Sequence, residues 1–193
     1  LLQTAGIPTP PTWVVSQAPE LASIMQRVFT AGNELVLKPL FGSQGNGLAR
    51  IRKADQLPEL ELYNGVYYLQ QFVHTGNEDA HDWRVFVIHG EAVAAMLRRG
   101  KGWISNVAQG AQCHPAVLDP ELRELAEAAA NTLGMSYAGV DILRDHKGHP
   151  YVIEVNSIPA WKGLQQACQI DVTGLLVDDF LSSCSGNTLT EVV

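Results

Sequence analysis

Apolar residues in the first third of the chain change between a helical and a strand-like spacing. Between positions 16 and 32 they recur at intervals of three and four residues, which predicts an amphipathic helix with Ser16 as its N-cap and Gly32 at its end. Short apolar runs rich in β-branched and aromatic residues predict strands at 13–15, 34–40, 48–51 and 66–73, and a short helix at 55–63. A glycine-rich loop therefore separates the second and third strands.

The second half of the chain shows two hairpin patterns with a helix between them. The predicted strands lie at 83–88, 91–98, 137–144 and 150–155, and the first pair turns at His89-Gly90. The helix begins at Pro120 after Asp119 as its N-cap, and Gly134 ends it. A further helix is predicted at 171–182. The polar stretch at 74–82, between the two halves, is a candidate domain boundary.

Composition places the chain among folded globular proteins. It has 193 residues, of which 46% are hydrophobic and 17% charged, and a mean hydropathy of +0.01. This length predicts one large domain or two small ones. No run reaches the ~18–20 apolar residues that a membrane span needs. The net charge of −7 argues against broad binding to nucleic acid or to anionic membranes, because such binding depends on positive charge.

The second hairpin carries three oxygen-bearing side chains. A two-residue turn at Lys147-Gly148 would place Asp141 opposite Glu154, with Asn156 on the same face. Directly opposed carboxylates, with Cβ atoms about 4.5–5.5 Å apart, repel each other unless a positive charge neutralises them. An oxygen-only ligand set suits Mg²⁺ shared with phosphate and does not suit zinc. The alternative is a solvated outer face of the hairpin, against which the apolar neighbouring residues argue.

The glycine loop at 42–47 offers several unobstructed backbone N–H groups that can form a nest around phosphate. It lacks the Gly-Lys-Ser/Thr of a P-loop, and a strand follows it where a dinucleotide fingerprint requires a helix. A plain glycine-rich hairpin therefore remains an alternative. Lys38 immediately precedes the loop, where a fixed cation could meet phosphate oxygens, although a strand lysine more often extends into solvent.

Polar groups surround the first predicted hairpin and could bind a second anion. They are Asp82, Arg84, Arg98, Arg99, Lys101, Ser105 and Asn106. For Arg98 and Arg99 the alternative is an exposed strand end with solvated charges.

The order of these motifs resembles the ATP-grasp superfamily, and more specifically the RimK-like α-L-glutamate ligases. The motifs are VLKP, GSQGNG, LQQFV, DWRVFV, RRGKGWISN, AGVDIL and IEVNSIP, and the resemblance extends over about residues 4–180. It implies an α+β ATP-grasp fold with a central lid at 13–75 and a C-terminal core at 76–184. Residues 1–12 would be a linker from an N-terminal domain that is not in the chain, and residues 185–193 a flexible tail.

The resemblance also implies an activity. A family member of this type phosphorylates a carboxylate with ATP, and an amine then displaces phosphate from the acyl phosphate to form an amide. We therefore expect a cytoplasmic ligase that adds L-glutamate, or another amino acid, to a carboxylate of a cofactor, peptide or protein. Its expected cofactors are ATP and one or two Mg²⁺ ions, with Mn²⁺ as a substitute. No nucleic-acid or membrane partner is expected, and a homo-oligomer is left open.

Site residues follow from the same resemblance, position by position. The catalytic residues would be Arg84, Arg98 and Asn106, and the metal ligands Asp141, Glu154 and Asn156. Nucleotide contacts would come from Lys38, Gly42, Ser43, Gln44, Gly45, Gln71, Phe72, Asp82, Ser105 and Asn106, with the backbone of Gln71 and Phe72 holding the adenine. The chain departs from the family pattern at Gln71, where relatives commonly have Glu. It also has Ile104 where relatives often have Arg.

Two other function classes remain in view. A nucleotide-binding module without catalysis is favoured by Ile104, because a cation that faces phosphate in relatives is then missing. A magnesium-dependent hydrolase could use the same three metal ligands, but it would need neither Lys38 nor the glycine loop.

Overall fold

The computed structural model describes residues 1–42, 44–76 and 79–186, and it contains two antiparallel sheets. The first sheet has four strands in the order β1-β4-β2-β3. These strands are β1 (Thr12–Val15), β2 (Leu35–Lys38), β3 (Ala49–Ile51) and β4 (Tyr67–Gln71). Helix α1 (Ala18–Thr30) packs on one face of this sheet through Ile24, Met25 and Val28. All four strands and the helix lie where the apolar pattern predicted them.

Two local expectations in this half are wrong. Helix α1 has Gln17 as its N-cap, without a side-chain hydrogen bond, so Ser16 does not cap it. Pro19 in the first turn lacks an N–H and already has a helical φ, which reduces the need for a side-chain cap. The single helix predicted at 55–63 is two short 3₁₀ helices, Ala54–Gln56 and Leu60–Tyr63. Pro58 lies between them and cannot continue a helical hydrogen-bond ladder.

The second sheet has five strands in the order β7-β6-β5-β8-β9. They are β5 (His81–Ile88), β6 (Glu91–Arg99), β7 (Gln112–Ala116), β8 (Tyr137–Arg144) and β9 (Pro150–Asn156). The remaining elements are a 3₁₀ helix (Val107–Gln109) and helices α2 (Pro120–Thr132), α3 (Lys162–Cys168) and α4 (Val172–Gly186). The predicted turn at His89-Gly90 is confirmed, with a positive φ at both residues.

Helices cover both faces of the second sheet. On one face, Leu122 and Ala126 of α2 pack among buried valine and isoleucine side chains of β5, β8 and β9. The Asp119 carboxylate accepts a hydrogen bond from the Leu122 N–H at 3.0 Å, which confirms the predicted N-cap of α2. On the other face, Leu164 of α3 and Val172 of α4 pack against Phe86. The chain therefore has the predicted α+β architecture.

The β8–β9 hairpin differs from the prediction in its turn but not in its key pairing. The predicted two-residue turn is a three-residue loop, because the Asp145 N–H donates to the His149 carbonyl. A β-bulge at Ile153 then shifts the register by one residue, so that Asp141 pairs with Glu154. As a result, Ile153 and Glu154 both line the cleft between the sheets.

The segment that precedes β1 contacts both sheets. The Pro8 carbonyl accepts a hydrogen bond from the Val152 N–H of β9, and the Pro11 carbonyl accepts one from the Gln71 N–H of β4, both at 2.8 Å. Strand β1 begins one residue before the segment 13–75 that was expected to form the lid, and α4 continues to Gly186. Residues 187–193 of the expected tail lie outside the described residues. None of the described helices is long and apolar enough to span a bilayer.

Candidate functional site

A cleft of about 650 Å³ lies between the two sheets and contains most of the predicted site residues. The predicted residues that line it are Lys38, Gly42, Gln44, Gly45, Gln71, Phe72, Asp82, Arg98, Ser105, Asn106, Asp141 and Glu154. Arg84 and Asn156 are not among the lining residues, and Ser43 lies outside the described residues. Twelve of the fifteen predicted positions therefore share one cavity, and the other two described positions lie next to it in sequence or by contact.

Asp141, on β8, is buried and held by two arginines. Arg84 on the neighbouring strand β5 forms a bidentate pair with it, Nε to Oδ1 and Nη2 to Oδ2, each at 2.7 Å. Arg98 on β6 adds a third contact, Nη2 to Oδ2 at 2.8 Å. Burial opposes ionisation of Asp141, but the two guanidinium groups outweigh it and hold its pKa below the ordinary value. For Asp141, two arginine side chains therefore supply the positive charge that the opposed carboxylates require.

Arg98 joins Asp141 to a second buried carboxylate. Its Nε and Nη2 donate to Oδ1 and Oδ2 of Asp82 at 2.7 and 2.5 Å, and the Ser105 hydroxyl donates to Oδ2 at 2.7 Å. Only 3% of the Arg98 side chain is exposed. Burial would lower the pKa of Arg98, yet the charges of Asp141 and Asp82 raise it. The alternative of an exposed, solvated strand end is therefore wrong for Arg98, whereas Arg99 is exposed as that alternative predicts.

Lys38 and Glu154 lie on opposite walls of the cleft. Lys38 ends β2 of the first sheet, and burial lowers its pKa although Glu154 and Asp141 are close enough to oppose the shift. Glu154 on β9 opens onto the cleft; partial burial and the charge of Asp141 raise its pKa. Lys38 and Glu154 therefore bring opposite charges to the two walls.

The carboxylate pair fits a divalent cation with few protein ligands. Oδ2 of Asp141 accepts two hydrogen bonds and Oδ1 accepts one, so Oδ1 retains a lone pair for a further ligand. Burial and the charge of Asp141 raise the pKa of Glu154, so its carboxylate form is disfavoured here and a bound cation would stabilise it. Asn156 lies beside them, and its Nδ2 is 3.5 Å from the Gly139 carbonyl oxygen. Among the described residues, no group of three His, Cys, Asp or Glu side chains could hold a metal ion. A Mg²⁺ ion bound by this carboxylate pair would need further ligands from water and phosphate.

One end of the cleft is aromatic. The Arg50 guanidinium stacks over the Phe72 ring with 3.8 Å to the ring centroid, and the Glu34 carboxylate holds Arg50 in a bidentate pair. His74 and Trp103 contact the ring edge-on, with centroids 4.9 and 6.3 Å away. Arg50 and Trp103 are distant from Phe72 in sequence, so only the folded chain reveals their contacts with its ring. His74 lies two residues after Phe72, but no sequence motif indicates its contact with the ring.

Two backbone N–H groups at this end of the cleft already form hydrogen bonds within the protein. The N–H groups of Gln71 and Phe72 donate to the carbonyls of Pro11 and Glu34, each at 2.8 Å. The predicted backbone contact to a base therefore falls to the carbonyl oxygens of Gln71 and Phe72. An adenine amino group could donate to such carbonyls.

Ile104 lies in a tightly folded segment that contributes to the cleft wall. Gly100 precedes it, and a Cβ at Gly100 would lie 1.8 Å from the Ile104 carbonyl oxygen, so only glycine fits there. Ile104 lines the cleft next to Ser105 and Asn106. Arg98 also lines the cleft, and its Nε and Nη2 already pair with Asp82 and Asp141. Lys101 is exposed and is not a lining residue.

Comparisons with known proteins place the chain among relatives of one family. The family model described as RimK-like ATP-grasp domain matches residues 1–180. A tetrahydromethanopterin:alpha-L-glutamate ligase of Methanococcus maripaludis is 36% identical over 188 residues, which cover 94% of this chain and 63% of that protein. A probable alpha-L-glutamate ligase of Aliivibrio fischeri is 38% identical over 185 residues, which cover 92% and 60%. The chain therefore spans about three-fifths of the length of these relatives.

Solved structures share the fold at low sequence identity. The ATP-grasp ligase PsnB, in a complex with a minimal precursor, Mg and ADP, has a TM-score of 0.70 at 20% identity, covering 94% of this chain and 55% of that chain. A D-alanine–D-alanine ligase from Bacillus anthracis has a TM-score of 0.69 at 18% identity, covering 94% and 63%. Both likenesses cover 94% of this chain, so they concern nearly all of its fold.

Proposed function

The chain belongs to the RimK-like ATP-grasp family, and from this membership we propose that it forms the nucleotide and metal site of an ATP-dependent carboxylate–amine ligase. The observation that carries the proposal is the pairing of the two cleft walls. One wall provides Lys38 and the glycine loop, and the other provides Asp141 and Glu154. A cation-binding pair opposite a fixed positive charge suits a bound MgATP, because both walls then contact the phosphates.

The reaction requires two displacements. An oxygen of the acceptor carboxylate attacks the γ-phosphorus of ATP, ADP leaves, and an acyl phosphate forms. The amine nitrogen of the second substrate then attacks the acyl carbon and loses a proton, the bond to inorganic phosphate breaks, and an amide remains. Phosphoryl transfer asks the protein mainly for positioning and neutralisation of charge, so no protein nucleophile is needed.

Each wall has a distinct task in this reaction. Lys38 holds the phosphate oxygens, and the N–H groups of the glycine loop add donors to them. Asp141, Glu154 and Asn156 would hold Mg²⁺, which neutralises phosphate charge when bound. Arg84 and Arg98 fix the Asp141 carboxylate, so both arginines are positioning residues. Phe72 and Arg50, which stacks on its ring, both line the cleft and provide the surface for the nucleotide base.

For the substrates we propose L-glutamate as the amine and a carboxylate of a cofactor, peptide or protein as the acceptor. The proposal derives from the relatives named as alpha-L-glutamate ligases, which share 34–38% identity with this chain. A cytoplasmic reaction is consistent with the need for ATP and glutamate.

Ile104 supports a second candidate, a nucleotide-binding module without ligase activity. Its apolar side chain lines the cleft, Lys101 is not a lining residue, and Arg98 already pairs with Asp82 and Asp141. Such a module would bind MgATP and would not form an amide.

Mass spectrometry of the reaction products tests these proposals. The protein is incubated with MgATP, L-glutamate and a panel of carboxylate acceptors, and products are searched for an added glutamyl residue. Acceptor-dependent release of ADP with a glutamylated product supports the ligase. Binding of MgATP without any product supports the module, and ADP release that is independent of amine and acceptor supports a hydrolase.

A further inference from the structure

The loop residues 44–47 are attached to the first sheet at one end. The Tyr63 hydroxyl, at the end of the second 3₁₀ helix, donates to the Gly47 carbonyl at 3.0 Å. Gln44, Gly45 and Gly47 have positive φ values of 59°, 77° and 73°, so the backbone turns sharply between these residues. The loop is therefore a defined turn that extends from the first sheet toward the second.

Gln109 contacts this loop from the other side of the cleft. Its Nε2 donates to the Gln44 carbonyl at 3.3 Å and to Oδ1 of Asn46 at 3.0 Å. One amide nitrogen has two hydrogens, so both bonds can form at once. The loop also approaches Asn106 closely, because a Cβ at Gly45 would lie 2.8 Å from Oδ1 of Asn106. Two separate contacts thus join the loop to the segment that carries the 3₁₀ helix 107–109.

The segment around Gln109 is well placed to hold the loop. The Gln109 N–H donates to the Asn106 carbonyl at 2.9 Å, and the Ala111 N–H donates to the same carbonyl at 3.3 Å. Gln109 itself is exposed and is not a lining residue of the cleft. It would therefore act on a bound nucleotide only through the loop.

We propose that Gln109 is a positioning residue that latches the loop 44–47 over the phosphates and slows the release of nucleotide. This inference rests on the proposed function, because it assumes that MgATP occupies the cleft. The latch joins the Gln109 side chain, in the half of the chain that forms the second sheet, to the loop 44–47 of the first sheet. Loss of the latch would leave the loop with the hydrogen bond from Tyr63 and the close approach of Gly45 to Asn106.

The variant Gln109→Met removes both hydrogen bonds and preserves side-chain length. In stopped-flow measurements with a fluorescent ATP analogue and Mg²⁺, we expect nucleotide release to be roughly three- to tenfold faster, with little change in the association rate. Gln109→Arg, which retains planar N–H donors, should release nucleotide within about twofold of the wild-type rate. Gln166→Met, at an exposed glutamine of α3 outside the cleft, is the matched control and should behave as wild type.

A measurement on the nucleotide-free protein tests the latch independently of the proposed function. Backbone ¹⁵N relaxation of Gly45, Asn46 and Gly47 in the unliganded protein should show order parameters that fall toward about 0.6 in Gln109→Met. Unchanged order parameters, or unchanged nucleotide release, would overturn the latch. If these amides become mobile but the wild-type protein binds no MgATP, the proposed function fails, and with it the role of the latch in nucleotide retention.

Discussion

Arg98 forms a 2.8 Å ion pair with Asp141, a carboxylate that Arg84 already holds through two hydrogen bonds. The same guanidinium is bidentate to Asp82, so one arginine stabilises two buried carboxylates. The network of two aspartates and two arginines is neutral as a whole. It fixes Asp141 before any ligand binds. Glu154, by contrast, forms no direct ion pair with any of the described residues, and its pKa is raised.

Replacing Arg98 by Met should be strongly destabilising. The change leaves Asp82 without its bidentate partner and removes one of the three contacts to Asp141, and breaking a buried ion pair costs about 3–5 kcal/mol. Urea unfolding followed by circular dichroism would measure the loss. Arg99→Met, at the exposed neighbouring position, is the control and should change the free energy of unfolding by less than about 0.5 kcal/mol.

A double variant identifies the cause of that loss. In Arg98→Met/Asp82→Asn the buried charge at position 82 is absent, so part of the lost stability, more than about 1 kcal/mol, should return. If Arg98→Met were as stable as the wild type, or if the second change gave no recovery, the network would not have the energetic importance that its burial indicates.

The pairing of Asp141 with Glu154 shows how much of the strand register could be predicted from the sequence. The predicted pairing is confirmed, although its derivation contains two compensating errors. The loop has three residues where two were predicted, and the bulge at Ile153 restores the register. A bulge leaves little signal in the sequence because it depends on packing against both neighbouring layers.

Other parts of the fold were missed for similar physical reasons. Strand β7 lies at a sheet edge and is mostly exposed, so it lacks the alternating pattern that reveals half-buried strands. Helix α3 has only seven residues and contains Gly163. The contact of Arg50 with Phe72 joins a residue of β3 to the residue that follows β4, and only the folded first sheet brings the two together. By contrast, strongly periodic elements such as α1 and α2 were predicted within two residues at most ends.

Replacing either carboxylate of the opposed pair should abolish ligase turnover. In Asp141→Ala and Glu154→Ala the rate of ADP release with MgATP is expected to fall by roughly a hundredfold or more, because a charge that holds the metal is lost. Glu91→Ala, at an exposed position where β6 begins, should retain full activity. Robust ADP production by either cleft variant would contradict the metal assignment.

Lys38 should contribute to nucleotide affinity without contributing to the stability of the free protein. Removal of a charge-assisted contact to phosphate in Lys38→Met should weaken MgATP binding by about ten- to a hundredfold, measured by isothermal titration calorimetry. Because burial lowers the pKa of Lys38, the charged amine is unfavourable in the empty cleft, and the melting temperature should not fall. Lys162→Met, at an exposed lysine of α3, is the control. Unchanged affinity in Lys38→Met would show that this lysine does not contact phosphate.

The raised pKa of Glu154 predicts a pH-dependent effect on stability in the absence of ligand. Burial and the charge of Asp141 raise this pKa above the ordinary value near 4.5, so the fold favours the protonated form. The stabilisation from protonated Glu154 is fully present below about pH 4.5 and is lost as the pH rises through the raised pKa of the folded state. At neutral pH the folded protein therefore carries an unfavourable charge that Glu154→Gln removes.

Thermal melts of the metal-free and nucleotide-free protein at pH 7.5 and pH 4.5 measure this effect. At pH 7.5 we expect Glu154→Gln to melt about 1–2 °C above the wild type, a small rise because solvent in the cleft screens the charge and Lys38 partly offsets it. At pH 4.5 the difference should become smaller, since more of the wild-type carboxyl is then protonated. Glu91→Gln, on the exposed end of β6, should show no difference at either pH. A lower melting temperature for Glu154→Gln at pH 7.5 would mean that Lys38 stabilises the Glu154 carboxylate by more than burial and Asp141 destabilise it.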